Sequence, residues 1–178
     1  CMQCEEPSCA SVCPTKAALI KESKGKAYTT IDITKCFGCK YCNLVCPFNV
    51  PQFDPKGKTA IKCTFCDERL DQGLRPACFE ACPTGAIKFG VREKIRKLAI
   101  ERAKEINGYV YGLNEAGGTN ILLILPMQPR ELGLPEIDKE PYDSISVLKR
   151  ILVEKTGIPK FILALITFIS LIILTLVI

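Results

Sequence analysis

The chain has 178 residues, 48% of them hydrophobic, and its 24 Lys and Arg against 19 Asp and Glu give a formal net charge of +5. So apolar a chain buries enough surface to offset the entropy of ordering, and global disorder is not expected. The sequence contains no His. This excludes, on this chain, a His-based catalytic triad, a Cys₂His₂ zinc finger, a Rieske centre, a c-type haem attachment and a bis-His haem.

All twelve Cys lie within the first 82 residues, in three groups. The first group is Cys1, Cys4, Cys9 and Cys13; the second is Cys36, Cys39, Cys42 and Cys46; the third is Cys63, Cys66, Cys78 and Cys82. The second group has the C-x2-C-x2-C-x3-C-P spacing of bacterial ferredoxins, in which one loop presents three thiolates to three irons of a cubane. Gly38 eases that turn, and the fourth Cys ligates the other cluster of a pair.

The three groups form an internal repeat, because each ends in a Cys-Pro pair. Short apolar or β-branched runs at Tyr28–Ile33 and Thr59–Ile61 predict strands that lead into the second and third ligand loops. We expect the last Cys of each group to start, or lie on, a short helix. The pattern therefore predicts strand–loop–helix units packed around clusters.

Three other uses of the cysteines fit the spacing less well. Repeated C-x2-C loops followed by proline are poor disulfide frameworks. The C-x2-C-x2-C core is too compact for one tetrahedral zinc ion. A redox-active C-x2-C pair would be one favoured pair, not three equivalent groups. Iron–sulfur ligation is favoured on spacing.

These motifs resemble the four-cluster ferredoxin-like iron–sulfur subunits of membrane-bound oxidoreductases, a superfamily that includes those of formate dehydrogenases, [NiFe] hydrogenases and dimethyl sulfoxide reductase-type enzymes. The resemblance extends over nearly the whole chain. It rests on Cys1–Cys9, Gly38–Cys42, Cys46–Pro51 and Lys62–Cys78, and the eleven-residue spacer of the third group is its most diagnostic part. Such proteins have four Cys groups, and the group not present here would precede Cys1.

The resemblance implies crossed [4Fe–4S] ligation, with two clusters fully and two partly ligated by this chain. One cluster would take set A, defined as Cys1, Cys4, Cys9 and Cys46. Its partner would take set B, defined as Cys13, Cys36, Cys39 and Cys42. A third would take Cys63, Cys66 and Cys78 with a Cys absent here, and Cys82 would serve a fourth. If the twelve thiolates are the full complement, three clusters remain the alternative.

The function implied is a non-catalytic electron relay, because a cubane changes charge by one electron with little change in geometry. The expected partners are a large catalytic oxidoreductase subunit and an integral membrane quinone- or cytochrome-type subunit. A zinc-stapled, membrane-anchored interaction module and a free-standing polyferredoxin also remain open. Nucleic-acid binding is not expected, since the negative charge of the clusters offsets the net positive charge.

The second half is predicted to brace and anchor this domain. Val91–Asn107 has the spacing of an amphipathic helix. Tyr109–Tyr111 and Ile121–Leu125 predict two strands around a Gly-Gly turn. Pro126–Pro141 is Pro-rich and expected to be extended. Phe161–Ile178 contains no charged residue and, at 1.5 Å per residue, is about as long as one hydrocarbon core, which predicts a single transmembrane helix.

The predicted fold class is therefore α+β, a ferredoxin-like multi-cluster [4Fe–4S] domain with a C-terminal transmembrane helix. Its predicted parts are an iron–sulfur domain over 1–90, a helix, hairpin and Pro-rich extension over 91–148, and a membrane anchor over 149–178. Lys149, Arg150, Lys155 and Lys160 before the anchor favour a cytoplasmic cluster domain. The resemblance favours the periplasmic or extracytoplasmic face, which is the orientation we expect.

Overall fold

The computed structural model describes residues 1–23 and 26–137. All of them belong to one of the chain's two units, Cys1–Tyr142, and the other unit, Asp143–Ile178, lies outside them. The whole predicted anchor, 149–178, including the predicted transmembrane helix, falls outside the described residues. Within 1–23 and 26–137, no helix is long and apolar enough to cross a membrane.

The described part of the chain is built from short elements. Its α-helices are α1 (Ser8–Ser11), α2 (Tyr41–Val45), α3 (Asp67–Asp71), α4 (Ala77–Ala81) and α5 (Arg92–Glu105). Its strands are β1 (Ala18–Ser23), β2 (Lys26–Ile31), β3 (Gln52–Phe53), β4 (Ala60–Ile61), β5 (Tyr109–Tyr111) and β6 (Leu123–Leu125). They pair antiparallel as β1–β2, β3–β4 and β5–β6. The α+β prediction is confirmed for this part of the chain.

The strands predicted before the second and third Cys groups are present. β2 ends at Ile31, where it pairs with Ala18 of β1, and the chain then reaches Cys36 through a turn. β4 pairs with β3 and ends one residue before Lys62. β-branched Thr29, Thr30 and Ile31 favour the extended backbone of β2. Both ligand loops therefore start from a hydrogen-bonded strand end.

The prediction that the last Cys of each group lies on a helix is wrong. The third Cys of each group does so instead: Cys9 lies in α1, Cys42 in α2 and Cys78 in α4. Cys46 and Cys82 directly follow α2 and α4 and have extended backbones, with ψ of 116° and 105°. The reason is the proline after each last Cys, since a residue before proline is disfavoured in the α region.

The second half of the described chain forms the predicted helix and hairpin. α5 covers most of the predicted range, contacts both β5 and β6, and ends before Asn107, whose φ of 50° is left-handed. Between the strands, Glu115–Gly117 forms a 3₁₀ turn. A second 3₁₀ turn at Pro129–Leu132 interrupts the region expected to be extended.

The hydrophobic core joins the two halves. Met2, Tyr111 and Leu125 are buried at its centre. Phe48, just after the second group, packs edge-on against Tyr111 with ring centroids 6.1 Å apart. The hairpin is therefore packed on the Cys-rich domain through the first ligand loop and the end of the second group.

Candidate metal centre

Three thiols of set A come together from different Cys groups. Helix α1, which contains Cys9, packs on α2, whose C-cap is Cys46. The Cys4 thiol interacts electrostatically with Cys46 and Cys9, and Cys9 does so with Cys46. Cys1 begins the same loop, three residues before Cys4. The first group thus meets the last Cys of the second.

Set B comes together in the reciprocal way. One pocket is lined by all four of its thiols, Cys13, Cys36, Cys39 and Cys42, together with apolar atoms of Phe37, Tyr41 and Phe53. Cys42 interacts electrostatically with Cys39, Cys36 and Cys13. Phe37 is 62% exposed at the rim of this pocket rather than part of the core.

The crowding and burial of these thiols suit a metal cluster. Burial raises the pKa of Cys4 to about 12, and the nearby thiols of Cys46 and Cys9 add to the effect. Burial likewise raises the pKa of Cys9 and Cys42 to about 11. Several thiolates packed out of water repel one another unless a cation neutralises them, and a coordinating metal deprotonates thiols outright. The donor set therefore fits [4Fe–4S] clusters, one of which Cys4, Cys9 and Cys46 would hold and the other set B.

Backbone N–H groups point at several cysteine sulfurs. Ala18 N–H donates to Cys13 Sγ over 3.4 Å, Val50 N–H to Cys46 Sγ over 3.5 Å, and Ala60 N–H to Cys36 Sγ over 3.3 Å. Such bonds favour the thiolate and tune the potential of a cluster that it ligates. The donors lie just after a Cys-Pro turn or in strand β4.

Gly38 is required by the second ligand loop. Its φ is +80°, and a Cβ placed there would lie 2.5 Å from Gly57 O and 3.0 Å from Lys58 O. No larger residue fits so close to the β3–β4 turn without moving backbone. The role predicted for Gly38 from the spacing is confirmed.

The third group differs from the other two. Cys63, Cys66 and Cys78 line one large cleft, which Cys4 and α5 also border, and Cys63 and Cys78 are exposed. Cys82 does not line this cleft. The backbone N–H of Ile87 and the hydroxyl of Thr84 hydrogen-bond its sulfur and lower the pKa of Cys82 to about 7.

Cys82 and Cys13 share one local structure, which supports the sequence repeat. Each sulfur lies near a threonine hydroxyl two residues on, at 3.6 Å from Thr84 Oγ1 and 3.7 Å from Thr15 Oγ1. Partial burial opposes ionisation of Cys13, yet the hydrogen bonds from Ala18 and Thr15 outweigh it and lower the pKa of that thiol. At both residues, hydrogen bonds to sulfur favour the thiolate.

A buried polar network that the spacing did not predict links the first and third groups. The fully buried Gln3 amide donates to Thr29 O over 3.1 Å and to Cys63 O over 2.8 Å. Its oxygen accepts from Thr29 N–H over 2.7 Å and from Thr29 Oγ1–H over 2.9 Å. All four hydrogen-bonding positions of the amide are used.

Lys62 completes this network. Its ammonium donates to Thr29 O, to Thr29 Oγ1 over 2.9 Å and to Cys63 O over 3.1 Å. Burial lowers the pKa of Lys62, while the nearby thiols of Cys9, Cys63, Cys4 and Cys46 act in the opposite direction. In the sequence, the only sign of this network is the presence of Gln3 within the first ligand motif and of Lys62 directly before the third.

The hairpin holds the first ligand loop by backbone pairing. Glu5 N–H donates to Gly118 O over 3.0 Å, and Asn120 N–H donates to Gln3 O over 2.9 Å. Arg92 of α5 pairs with the Glu5 carboxylate and donates to Asn120 Oδ1 over 3.1 Å. The Gly-Gly segment therefore acts in backbone packing, in agreement with its interpretation as turn chemistry.

Among the described residues, no three Cys, Asp or Glu side chains are grouped so as to hold one metal ion. The four ligands of a cubane each bind a different iron, so their sulfurs are held farther apart than around one ion. All twelve cysteines are free thiols. Paired ligand loops of ferredoxin spacing, buried or half-buried thiols in those loops and N–H donors to sulfur define the class as ferredoxin-like iron–sulfur proteins.

Comparison with known proteins agrees with that class. The 4Fe-4S dicluster domain family matches residues 1–92, and this chain belongs to that family. The chain is similar to the formate dehydrogenase iron-sulfur subunit of Haemophilus influenzae, with 35% identity over 153 residues, which cover 83% of this chain and 48% of that protein.

Two further relatives come from Escherichia coli. The formate dehydrogenase-O iron-sulfur subunit is 37% identical over 145 residues, covering 76% of this chain and 48% of that protein. The hydrogenase-2 operon protein HybA is 34% identical over 169 residues, covering 78% of this chain and 51% of that protein. The chain spans about half the length of these relatives. The recognition of the family from its cysteine motifs is confirmed.

Proposed function

We propose that this chain is an electron-transfer iron–sulfur subunit of an oxidoreductase complex. It would relay electrons between a catalytic subunit, either a [NiFe] hydrogenase or a molybdopterin or tungstopterin enzyme such as a formate dehydrogenase, and a quinone-linked membrane subunit. The observation that best supports this proposal is the reciprocal grouping of thiols. Cys4 and Cys9 lie near Cys46, and Cys36, Cys39 and Cys42 lie near Cys13. Two ligand sets that share both loops hold two clusters close together, as a relay requires.

Within this proposal, the protein supplies binding and environment. Set A and set B would each hold one [4Fe–4S] cluster, and a bound cluster would supply one-electron redox chemistry. The ligand loops fix the thiols, the N–H groups of Ala18, Val50 and Ala60 stabilise negative charge on sulfur, and buried Val45 excludes water. No acid, base or nucleophile is needed on this chain.

The third group is proposed to contribute to two further clusters. Cys63, Cys66 and Cys78 would hold one with a ligand from outside the twelve cysteines, and Cys82 would serve the other. The common cleft of the first three thiols and the separate position of Cys82 support this division.

Membrane attachment and side are also proposed. The uncharged segment 161–178 would anchor the chain beside its membrane partner, with the cluster domain on the periplasmic or extracytoplasmic face. The support is the length and composition of that segment together with the resemblance.

Metal content is the first test. Anaerobically purified full-length protein should contain iron and acid-labile sulfide in equal amounts, with about 16 iron atoms for four cubanes. About 12 iron atoms would mean that the third group closes its own cluster. Zinc in place of iron would establish the zinc-stapled module and contradict electron transfer.

Co-purification and turnover distinguish a subunit of a complex from a free-standing polyferredoxin. Affinity-tagged protein from membranes should carry a catalytic subunit, and formate or hydrogen should reduce its clusters, which a quinone should then reoxidise. A free-standing polyferredoxin would purify alone and accept electrons only from added reductant.

A further inference from the structure

Lys62 is a cation placed between two Cys groups, and the relay role does not account for it. It follows β4 directly and precedes Cys63. Its ammonium interacts electrostatically with Cys9, Cys63, Cys4 and Cys46. Three of these four thiols belong to set A, and the fourth is the first Cys of the third group.

The position of this ammonium is fixed by its hydrogen bonds. A Lys ammonium has three donors, and Lys62 has three acceptors: Thr29 O, Thr29 Oγ1 and Cys63 O. The Gln3 amide binds the same two carbonyls from another direction and also holds the Thr29 hydroxyl. Gln3 and Thr29 of this network are buried and Lys62 is half-buried, and all three donors of the Lys62 ammonium are used, so the fold holds the ammonium near these thiols.

A charge so placed affects a neighbouring cluster in one direction. One-electron reduction adds a negative charge to a cluster that already carries four thiolates. A nearby cation favours the more negative state, and the effect is large where protein rather than water separates the charges. Reduction of the cluster nearest Lys62 is therefore made easier.

We propose that Lys62 is a positioning residue that raises the reduction potential of the set A cluster relative to that of set B. This rests on the proposed cluster assignment. It would give the two clusters different reduction potentials although each has four Cys ligands. Electrons entering the pair would then reside preferentially on the set A side, next to the third Cys group.

The chain contains a matched control in Lys35. It immediately precedes Cys36 as Lys62 precedes Cys63, but its side chain is 60% exposed and pairs with Asp32 at 3.4 Å. Water and its partner carboxylate screen that charge from set B. The same substitution at the two positions therefore separates a half-buried cation from an exposed one in the same sequence context.

The experiment is a redox titration of the full-length protein in its complex, with dithionite as reductant, mediators, and electron paramagnetic resonance as readout. Lys62→Met and Lys62→Gln should lower one midpoint so that the ratio of reduced to oxidised cluster falls at least tenfold at the original midpoint, a shift of about 59 mV for one electron. Lys62→Arg and Lys35→Met should leave all midpoints nearly unchanged. The shifted component should be the one whose spectrum Cys46→Ser alters.

We expect these variants to fold, because the remaining hydrogen bonds of the network are kept. Without Lys62, Thr29 O and Cys63 O still accept hydrogen bonds from Gln3, and Gln at position 62 keeps donors of its own. Unchanged midpoints in Lys62→Met, or an equal shift of set A and set B, would overturn the proposal. So would loss of iron in both neutral variants but not in Lys62→Arg, which would assign Lys62 to holding the loops together.

Failure of the underlying function looks different. If the unsubstituted protein contains zinc or shows no cluster signals, the relay itself is wrong. If the clusters are present and reducible but insensitive to the charge at position 62, only the tuning role is wrong.

Discussion

The paired Cys groups and the third group use similar residues in different surroundings. In the pair, Cys4, Cys9 and Cys42 are withdrawn from water among other thiols, and their pKa values are raised to about 11–12. In the third group, Cys63 and Cys78 are exposed on a cleft. The pKa of Cys82 is lowered to about 7, a direction of shift that Cys13 of the pair shares. The thiols are drawn together where the first and second groups face each other through α1 and α2.

The crossing itself gives the largest expected effect. Cys46→Ser should remove or alter the same spectral component as Cys4→Ser, because both would ligate the set A cluster, although Cys46 lies in the second group. Cys13→Ser should act on the component that Cys36→Ser affects. Resonance spectra and iron content of the four variants check this, and Cys46→Ser acting together with Cys36→Ser instead would show that ligation is not crossed.

Substitutions at Gly38 and Gly57 test how closely the second ligand loop packs on the β3–β4 turn. Both have positive φ, but a Cβ at Gly38 meets backbone at 2.5 Å, while one at Gly57 meets nothing within 4 Å. We expect Gly38→Ala to cost about 2–5 kcal/mol from the left-handed backbone and the clash, and Gly57→Ala only about 1–2 kcal/mol. The guanidinium concentration at which cluster absorbance is lost measures the difference, and equal losses would contradict the close approach.

Gln3 connects the paired region to the third group, so its removal should loosen both. Gln3→Met leaves Thr29 N–H without an acceptor in the interior and removes one donor from Cys63 O. We expect the free energy of unfolding to fall by about 2–4 kcal/mol. Exposed Gln52, whose one bond to Asn49 O is 3.4 Å long, is the control, and Gln52→Met should change stability by less than about 0.5 kcal/mol.

Substitution of Tyr111, in the hairpin formed by β5 and β6, should have the smallest effect on stability. Its hydroxyl donates to Pro135 O over 2.8 Å. Tyr111→Phe keeps the ring packed on Phe48 and should cost about 1 kcal/mol. Thermal loss of cluster absorbance measures it, with Tyr109→Phe, at a more exposed ring, as the comparison; a larger loss at Tyr109 would contradict the assignment.

Local patterns predicted what depends on local geometry. Cysteine spacing predicted the ligand loops and the role of Gly38, β-branched runs predicted the strands before the second and third groups, and amphipathic spacing predicted helix α5. The error over the last cysteines was avoidable, since the proline after Cys46 and Cys82 already disfavours a helical backbone. The Gln3–Thr29–Lys62 network was not predictable in the same way. Its members are 26 and 33 residues apart in the chain, and only the assembled fold shows which polar residues meet.

The backbone pairing of the first ligand loop bears on the order of assembly. Residues 2–5 complete their hydrogen bonds with residues 118–121, more than 110 positions later in the chain. During synthesis from the N-terminus, the first cysteines emerge long before the segment that holds them in place. A loop closed over so long a separation forms late, so iron insertion into the proposed set A would follow synthesis of the hairpin rather than accompany it.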